Sequence, residues 1–241
     1  MSTGRRVEPV PELLRGCWRR TWIEHSDGTV DDTSTVVWLQ LSSRMADLRL
    51  PAGHADLADR GSLAGCSLDD LRRLAASESS SGVTVCSPVE VAAGGIRRAT
   101  AEWPDDRGGV AFQPVTAYPE PGLLEWSTDG AVMIERAPSG AYVECWHRMP
   151  HTDQPLGHRV LPGAAELFIA GAAALLVRDR PVPITRRERL DRLVAEAGDD
   201  RAALEALVDC EFSLAQRDGA AYVVTASTHP WRTGEVIDVA V

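Results

Sequence analysis

Polar and charged side chains alternate with tryptophan in several short segments of the chain. Alternate residues of a β-strand lie on one face of the sheet, so this spacing places aromatic rings beside guanidinium, amide and carboxylate groups. A guanidinium binds a carboxylate or a phosphate through two parallel hydrogen bonds. Aromatic rings with a few fixed polar groups are typical of small-molecule pockets. The residues predicted to line such a pocket are Trp18, Arg20, Trp22, Trp38, Gln40, Arg49, Glu144, Trp146 and Arg148.

Within this pocket, Arg20 and Arg148 are expected to meet the anionic end of an apolar ligand, while Trp22, Trp38 and Trp146 cover its body. The alternative is structural. The same arginines can form ion pairs with Asp47 and Glu144, or they can face solvent, because a strand pattern alone does not say which face lies inside. Both interpretations stay open at this point.

Three glutamates on successive predicted strands suggest acid–base chemistry. Neighbouring strands can bring two of Glu125, Glu135 and Glu144 together, and burial beside a second carboxylate then raises the pKa of one of them. Exposed glutamates are also common on sheets, so the strand register decides between the two cases.

Histidine and cysteine indicate neither a metal site nor a disulfide framework. His147, His151 and His158 surround a strand end and a loop, and their spacing does not show whether they converge. The five cysteines are odd in number and widely spaced, with no C-x-x-C pair, so we interpret them as free and buried. No metal and no cofactor is expected.

Composition narrows the functional classes further. The 241 residues carry a net charge of −10, which argues against a general nucleic-acid or anionic-membrane binder. All 25 basic residues are arginine, which excludes a catalytic lysine or a P-loop and is typical of a GC-rich, bacterial genome. The basic N-terminus has no apolar stretch after it and no apolar run reaches membrane-spanning length, so a cytoplasmic location is expected.

Alternation and turn signals predict the elements that carry these side chains. Asp129-Gly130 and Pro138-Ser139-Gly140 join three strands into an antiparallel meander. Residues 164–180 are rich in alanine, which suits a helix, but Gly171 and the flanking β-branched residues favour two strands. Helices are predicted near 67–78 and 185–208, each opened by a capping box, Ser67 with Asp70 and Thr185 with Glu188.

Four motifs in this order resemble an uncharacterised lipocalin-like (calycin) family that includes a fungal partner of a casein-kinase-type protein kinase. They are Trp18-x-Arg20, Trp38-x-Gln40, Asp47-x-Arg49-x-Pro51 and Glu144-x-Trp146-x-Arg148. The strand and turn signals predict a mainly β fold of about ten to twelve short antiparallel strands with two short helical inserts, either a closed barrel or a sandwich. The resemblance implies the antiparallel lipocalin-like barrel. Residues 1–11 are polar and contain proline, so we interpret them as a flexible lead-in. Residues 12–241 are predicted to form a single barrel domain.

Three functions fit this picture. The first is an intracellular protein that binds a small apolar or amphipathic ligand. The second is a cofactor-free isomerase, cyclase or hydrolase that uses the same cavity. The third is an interaction scaffold that docks a partner through the arginine-rich segment 185–194. An open cavity favours the first two, and the sequence does not determine the oligomeric state.

Overall fold

The computed structural model describes residues 8–104 and 108–237. Residues 1–7 of the predicted lead-in and residues 238–241 at the end of the predicted domain lie outside the described residues. The fold is mainly β and antiparallel, which confirms the predicted class. Its strands are divided between a nearly closed barrel and a second, half-barrel sheet rather than forming one barrel.

The barrel sheet is built from the first part of the chain. Its strands are β1 (Gly16–His25), β2 (Val30–Asp31), β3 (Thr35–Gln40), β4 (Arg44–Leu50), β5 (Ser80–Val83), β6 (Val85–Cys86), β7 (Glu90–Val91), β8 (Arg97–Glu102), β9 (Gly122–Trp126), β10 (Val132–Arg136) and β11 (Tyr142–Arg148).

The strands of this sheet follow an up-and-down order that nearly closes it into a barrel. β1, β3 and β4 are neighbours, β8 to β11 follow one another, and β11 pairs with β1. The remaining gap is spanned by one continuous stretch, in which β5 pairs with β4 and β6 pairs with β8. The stretch changes partner at the buried Thr84, whose hydroxyl donates to Gln40 Oε1 at 2.7 Å. If β5 and β6 are taken as one strand, the barrel wall has eight.

The second sheet follows in the chain. Its six strands pair in sequence order: β12 (Leu156–Val160), β13 (Glu166–Ala170), β14 (Ala173–Arg178), β15 (Glu211–Asp218), β16 (Ala221–Ser227) and β17 (Val236–Ile237). β13 and β14 confirm the prediction of two strands in the alanine-rich stretch.

Three short α-helices lie among the described residues: α1 (Leu68–Leu74), α2 (Leu190–Ala197) and α3 (Arg201–Val208). The capping box of Ser67 and Asp70 is confirmed. The one predicted at Thr185 is wrong, because α2 begins only at Leu190 after Arg189. Glu188 pairs instead with Arg186 at 2.9 Å.

Strand alternation gives the barrel wall two apolar faces. The outward side chains of β3 and β4, such as Val37 and Leu48, form one buried cluster with Phe168 and Phe212 of the second sheet and with the helices. The inward side chains form a separate cluster around Trp18, Trp126 and Trp146. The second sheet therefore covers the outside of the barrel, and the interior is left to the tryptophans.

Reduction with a thiol reagent is expected to leave the melting temperature unchanged. All five cysteines are free, and burial raises the pKa of the Cys17 and Cys210 thiols to about 12, which keeps them protonated and unreactive. Thermal melts with and without reductant check this. A clear drop in melting temperature on reduction would contradict the free-thiol assignment.

Among the described residues, none of the helices has both the length and the apolar character needed to cross a bilayer.

Candidate functional site

A cavity of about 430 Å³ opens into one end of the barrel. Trp38, Arg49 and Glu135 reach it from the inner face of the barrel wall. The rest of its lining comes from Met45, Asp47, Trp103, Pro104, Tyr118 and Tyr142 and from parts of segments 78–83, 108–116 and 179–187. Two of the nine predicted pocket residues, Trp38 and Arg49, line this cavity. The other seven lie elsewhere.

Strand registers explain why these side chains point inward together. Trp18 lies opposite Trp38, and Trp38 lies opposite Asp47. On the other side of β1, Arg20 lies opposite Trp146. Directly opposed residues share a face of the sheet. The inner surface of the barrel therefore carries the predicted pocket residues of β1, β3, β4 and β11, apart from Trp22.

Trp22 is the exception, and its predicted place on the face of Trp18 and Arg20 is wrong. A β-bulge at Thr21 shifts the register, so Arg20 opposes Trp146 whereas Trp22 opposes Cys145. One extra residue reverses the alternation beyond it. Ile23 therefore lies opposite Glu144 and is buried, and Trp22 is half-exposed.

Arg148 and Trp18 close the far end of the barrel. The guanidinium stacks on the Trp18 ring at 4.3 Å and donates to the backbone carbonyls of Arg15, at 2.5 Å, and Leu13. Trp18 Nε1 donates to Leu14 O at 2.8 Å. Arg148 therefore holds the N-terminal segment over the barrel and does not line the cavity.

Glycine is required where the Arg148 guanidinium passes. Gly16 has φ of +119°, and a Cβ there would lie 2.9 Å from Arg148 Nη1. Any other residue would meet both backbone strain and the guanidinium.

Arg20 is a buried ion-pair residue. It is 7% exposed, and it donates to Glu144 Oε1 at 2.8 Å and to Asp31 Oδ2 at 2.9 Å. Glu144 is 1% exposed. The structure thus places Arg20 behind the cavity wall, in the arrangement that the structural alternative describes.

Arg49 is the guanidinium that reaches the cavity from the barrel strands, whereas Arg180, Arg186 and Arg187 line it from the segment 179–187. Its Nε donates to Asp47 Oδ2 at 2.6 Å, and its Nη1 donates to Glu144 Oε1 at 3.3 Å. The group also lies 5.1 Å from the Tyr118 ring and 5.7 Å from the Trp146 ring. Two carboxylates and two aromatic faces hold it in one orientation.

A carboxyl pair lies beside Arg49. Glu135 of β10 is directly opposite Glu144 of β11, and both are buried. Glu125 is on the other face of the sheet and pairs with Arg98, whose Nε lies 2.8 Å from its Oε2. Two of the three predicted glutamates therefore meet.

The two buried carboxyls have different surroundings. Glu144 accepts hydrogen bonds from two guanidiniums, whereas Glu135 accepts one from the Tyr142 hydroxyl at 3.2 Å. Burial, and then the charge of Glu144, raise the pKa of Glu135 to about 8, although Arg49 and Tyr142 act in the opposite direction. At neutral pH Glu135 is thus mainly a neutral acid on the cavity wall.

Aromatic rings form the remaining inner wall. Trp38 packs edge-on against Trp103 at 5.5 Å and against Trp146 at 5.9 Å. Its indole N–H donates to Gln40 Oε1 at 3.2 Å, so Gln40 orients Trp38 from behind the cavity. The buried N–H of Trp103 has no acceptor within residues 8–104 and 108–237.

The histidines do not converge. His147 and His151 are exposed, and His158 lies 2.6 Å from Glu166 Oε2 on the second sheet. Within the part of the chain that the structure describes, no group of three or more potential ligands could hold a metal ion.

Comparison of the chain with protein-family models, with curated proteins and with solved structures gave no match. The chemistry of the cavity therefore rests on its own geometry.

Three aromatic residues of the cavity were not among the predicted pocket residues: Trp103, Tyr118 and Tyr142. Tyr142 stands two positions before Glu144 on the same strand, so alternation alone could have found it. Trp103 follows the end of β8, and Tyr118 lies in a connection between strands, where no periodic pattern exists. Only the closure of the barrel brings these two rings to the cavity.

Proposed function

We propose that the barrel binds a small, largely aromatic ligand that carries an anionic or strongly hydrogen-bond-accepting group. The observation that carries this proposal is the cavity wall. It presents the Arg49 guanidinium and the protonated Glu135 carboxyl among the rings of Trp38, Trp103 and Tyr118. Hydrogen-bond donors within an aromatic wall can bind an oxygen acceptor of a ligand whose remaining surface is apolar.

The open cavity also supports ligand binding over a scaffold role. A barrel filled by its own side chains would favour a scaffold. Here Trp18, Trp126 and Trp146 pack in the barrel interior, and a cavity of about 430 Å³ stays open beside Trp38 and Trp103.

A lipocalin-like relationship belongs to the same proposal. An up-and-down barrel of eight strands is the arrangement of lipocalins, which supports the resemblance found in the sequence. An intracellular location is likewise proposed, and the free cysteines are consistent with it.

The test is a titration with 1-anilinonaphthalene-8-sulfonate, an aromatic anion whose fluorescence rises in apolar sites. The wild-type protein is expected to bind one equivalent. Arg49→Met is expected to weaken binding by about 1.5–3 kcal/mol, the contribution of a hydrogen bond to a charged group. Trp103→Leu, which leaves the Arg49 ion pairs intact, is expected to weaken binding as well.

Arg98→Met is the matched control, because Arg98 pairs with Glu125 on the outer face of the same sheet. Its affinity should equal that of the wild type, and thermal melts of every variant exclude unfolding as the cause. Binding that is absent in the wild type, or unchanged in both cavity variants, would reject the site. Native mass spectrometry of freshly purified protein would show a retained compound directly.

A further inference from the structure

Glu135 and Glu144 form a pair of carboxyls with different surroundings at the point where the cavity meets the barrel wall. Two such groups commonly divide the roles of acid and charge stabiliser in an active site. Glu144 pairs with Arg20 and with Arg49, and it does not itself line the cavity. Glu135 lines the cavity and accepts a hydrogen bond from the Tyr142 hydroxyl.

Gly122 leaves room for the Glu135 carboxyl, because a side chain at this position would collide with it. A Cβ on Gly122 would lie 2.7 Å from Glu135 Oε1 and 3.0 Å from the Trp103 ring. Glycine at this position therefore lets the carboxyl and the indole sit side by side at the cavity. The Tyr142 hydroxyl donates to the same oxygen, Glu135 Oε1, at 3.2 Å and so orients the carboxyl.

We propose that Glu135 is a catalytic acid that interconverts the enol and keto forms of an aromatic 2-oxo acid bound in the cavity. This inference rests on the proposed function and extends it from binding to proton transfer. The aromatic ring would lie among Trp38, Trp103 and Tyr118, the ligand carboxylate would bind Arg49, and the enol would lie against Glu135.

The reaction balances without a cofactor. The Glu135 carboxyl gives its proton to the carbon next to the ring, and the electron pair of the C=C bond forms the new C–H bond. The enol O–H bond breaks, its electron pair completes the C=O bond, and its proton passes to the other oxygen of Glu135. Glu135 is again protonated, and the product is an isomer of the substrate.

Glu144 and Tyr142 act as positioning residues in this scheme. The charge of Glu144 favours the protonated form of its neighbour, and Tyr142 orients the carboxyl. Arg49, already held by Asp47 and Glu144, would keep the ligand carboxylate away from Glu135 and so place carbon rather than oxygen at the acid.

The experiment uses freshly dissolved enol phenylpyruvate, with its conversion to the keto form followed by ultraviolet absorbance. The wild-type protein is expected to accelerate ketonisation over buffer, and Glu135→Gln is expected to reduce the catalysed rate by about 100-fold or more, the usual contribution of a general acid. Glu135→Asp, which keeps the acid, should recover part of the rate. Glu125→Gln, on the outer face, should behave as the wild type.

A second measurement does not depend on any variant. Ketonisation in D₂O by the wild type should place deuterium on one face of the CH₂ carbon, whereas the reaction in buffer gives both faces equally. The catalysed rate should also fall as the pH rises and Glu135 loses its proton. Acceleration without facial selectivity would overturn the assignment.

A separate binding measurement, by quenching of tryptophan fluorescence, distinguishes failure of the binding proposal from failure of the catalytic one. Phenylpyruvate bound without acceleration overturns the catalytic inference and leaves the binding function intact. Acceleration that persists in Glu135→Gln overturns the role of Glu135. Binding of anilinonaphthalene sulfonate but not of phenylpyruvate overturns the substrate class, and binding of neither overturns both proposals.

Discussion

Replacement of Arg20 by methionine is expected to lower the free energy of unfolding by about 3–5 kcal/mol, the usual cost of removing one partner of a buried ion pair. Methionine keeps much of the apolar stem, so the change isolates the guanidinium. Glu144, 1% exposed, would keep only the longer hydrogen bond from Arg49, at 3.3 Å. Chemical denaturation at neutral pH measures the effect.

Arg98→Met is the matched control for this measurement. Its partner Glu125 is on the outer face of the barrel, and an exposed ion pair contributes about 0–1 kcal/mol. Combining Arg20→Met with Glu144→Gln should restore part of the stability, since the buried carboxylate is then gone. A loss for Arg20→Met as small as that for Arg98→Met would mean that Arg20 is not held in a buried pair.

The second large effect is on the pH dependence of stability: the free energy of unfolding is expected to change with pH differently in the wild type and in Glu135→Gln. Folding raises the pKa of Glu135 from 4.5 to about 8, through burial and the charge of Glu144. Between these values the folded protein holds a proton that the unfolded chain has released. The stability due to this group is therefore fully present below pH 4.5 and is lost as the pH rises to about 8.

Between pH 4.5 and about 8, the free energy of unfolding of the wild type should fall relative to that of Glu135→Gln. The expected decrease is about 1.4 kcal/mol per pH unit, or roughly 3–5 kcal/mol over the whole range. Glutamine stays neutral, so the variant should become the more stable protein as the pH approaches 8. The groups that face Glu135 are Glu144, Tyr142 and Arg49, and none of them changes between the two proteins.

Urea unfolding of both proteins at several pH values gives this difference directly. Glu125→Gln serves as the comparison, because Glu125 pairs with Arg98 on the outer face of the barrel, away from Glu144. Parallel curves for the wild type and Glu135→Gln would show that Glu135 is ionised at neutral pH, and the acid role proposed for it would fail with that result.

Much of the inner face of the barrel could be predicted from alternation. Trp18 and Arg20 on β1, Trp38 and Gln40 on β3, and Glu144, Trp146 and Arg148 on β11 share faces because side chains repeat every two residues along a strand. The same rule failed at Trp22, since the bulge at Thr21 inserts one residue. Nothing in the residues around Thr21 signals that bulge.

The roles of the arginines could not be predicted in the same way. Arg20, Arg49 and Arg148 all lie on inward faces, yet only Arg49 reaches the cavity. The difference depends on position along the barrel axis and on partners distant in sequence, such as Asp31 for Arg20 and the backbone of residues 13–15 for Arg148. A periodic pattern carries no information about either.

The sequence by itself determined the antiparallel β class, the hairpin at Asp129-Gly130, the two strands of the alanine-rich stretch and the aromatic, arginine-containing face. These follow from local turn chemistry and from the two-residue period. Tertiary structure alone decided that the strands form two sheets, that Glu135 rather than Glu125 meets Glu144, and that Trp103 and Tyr118 complete the cavity. Each of these depends on strand register and barrel closure, which are set by the combined burial of many residues far apart in the chain.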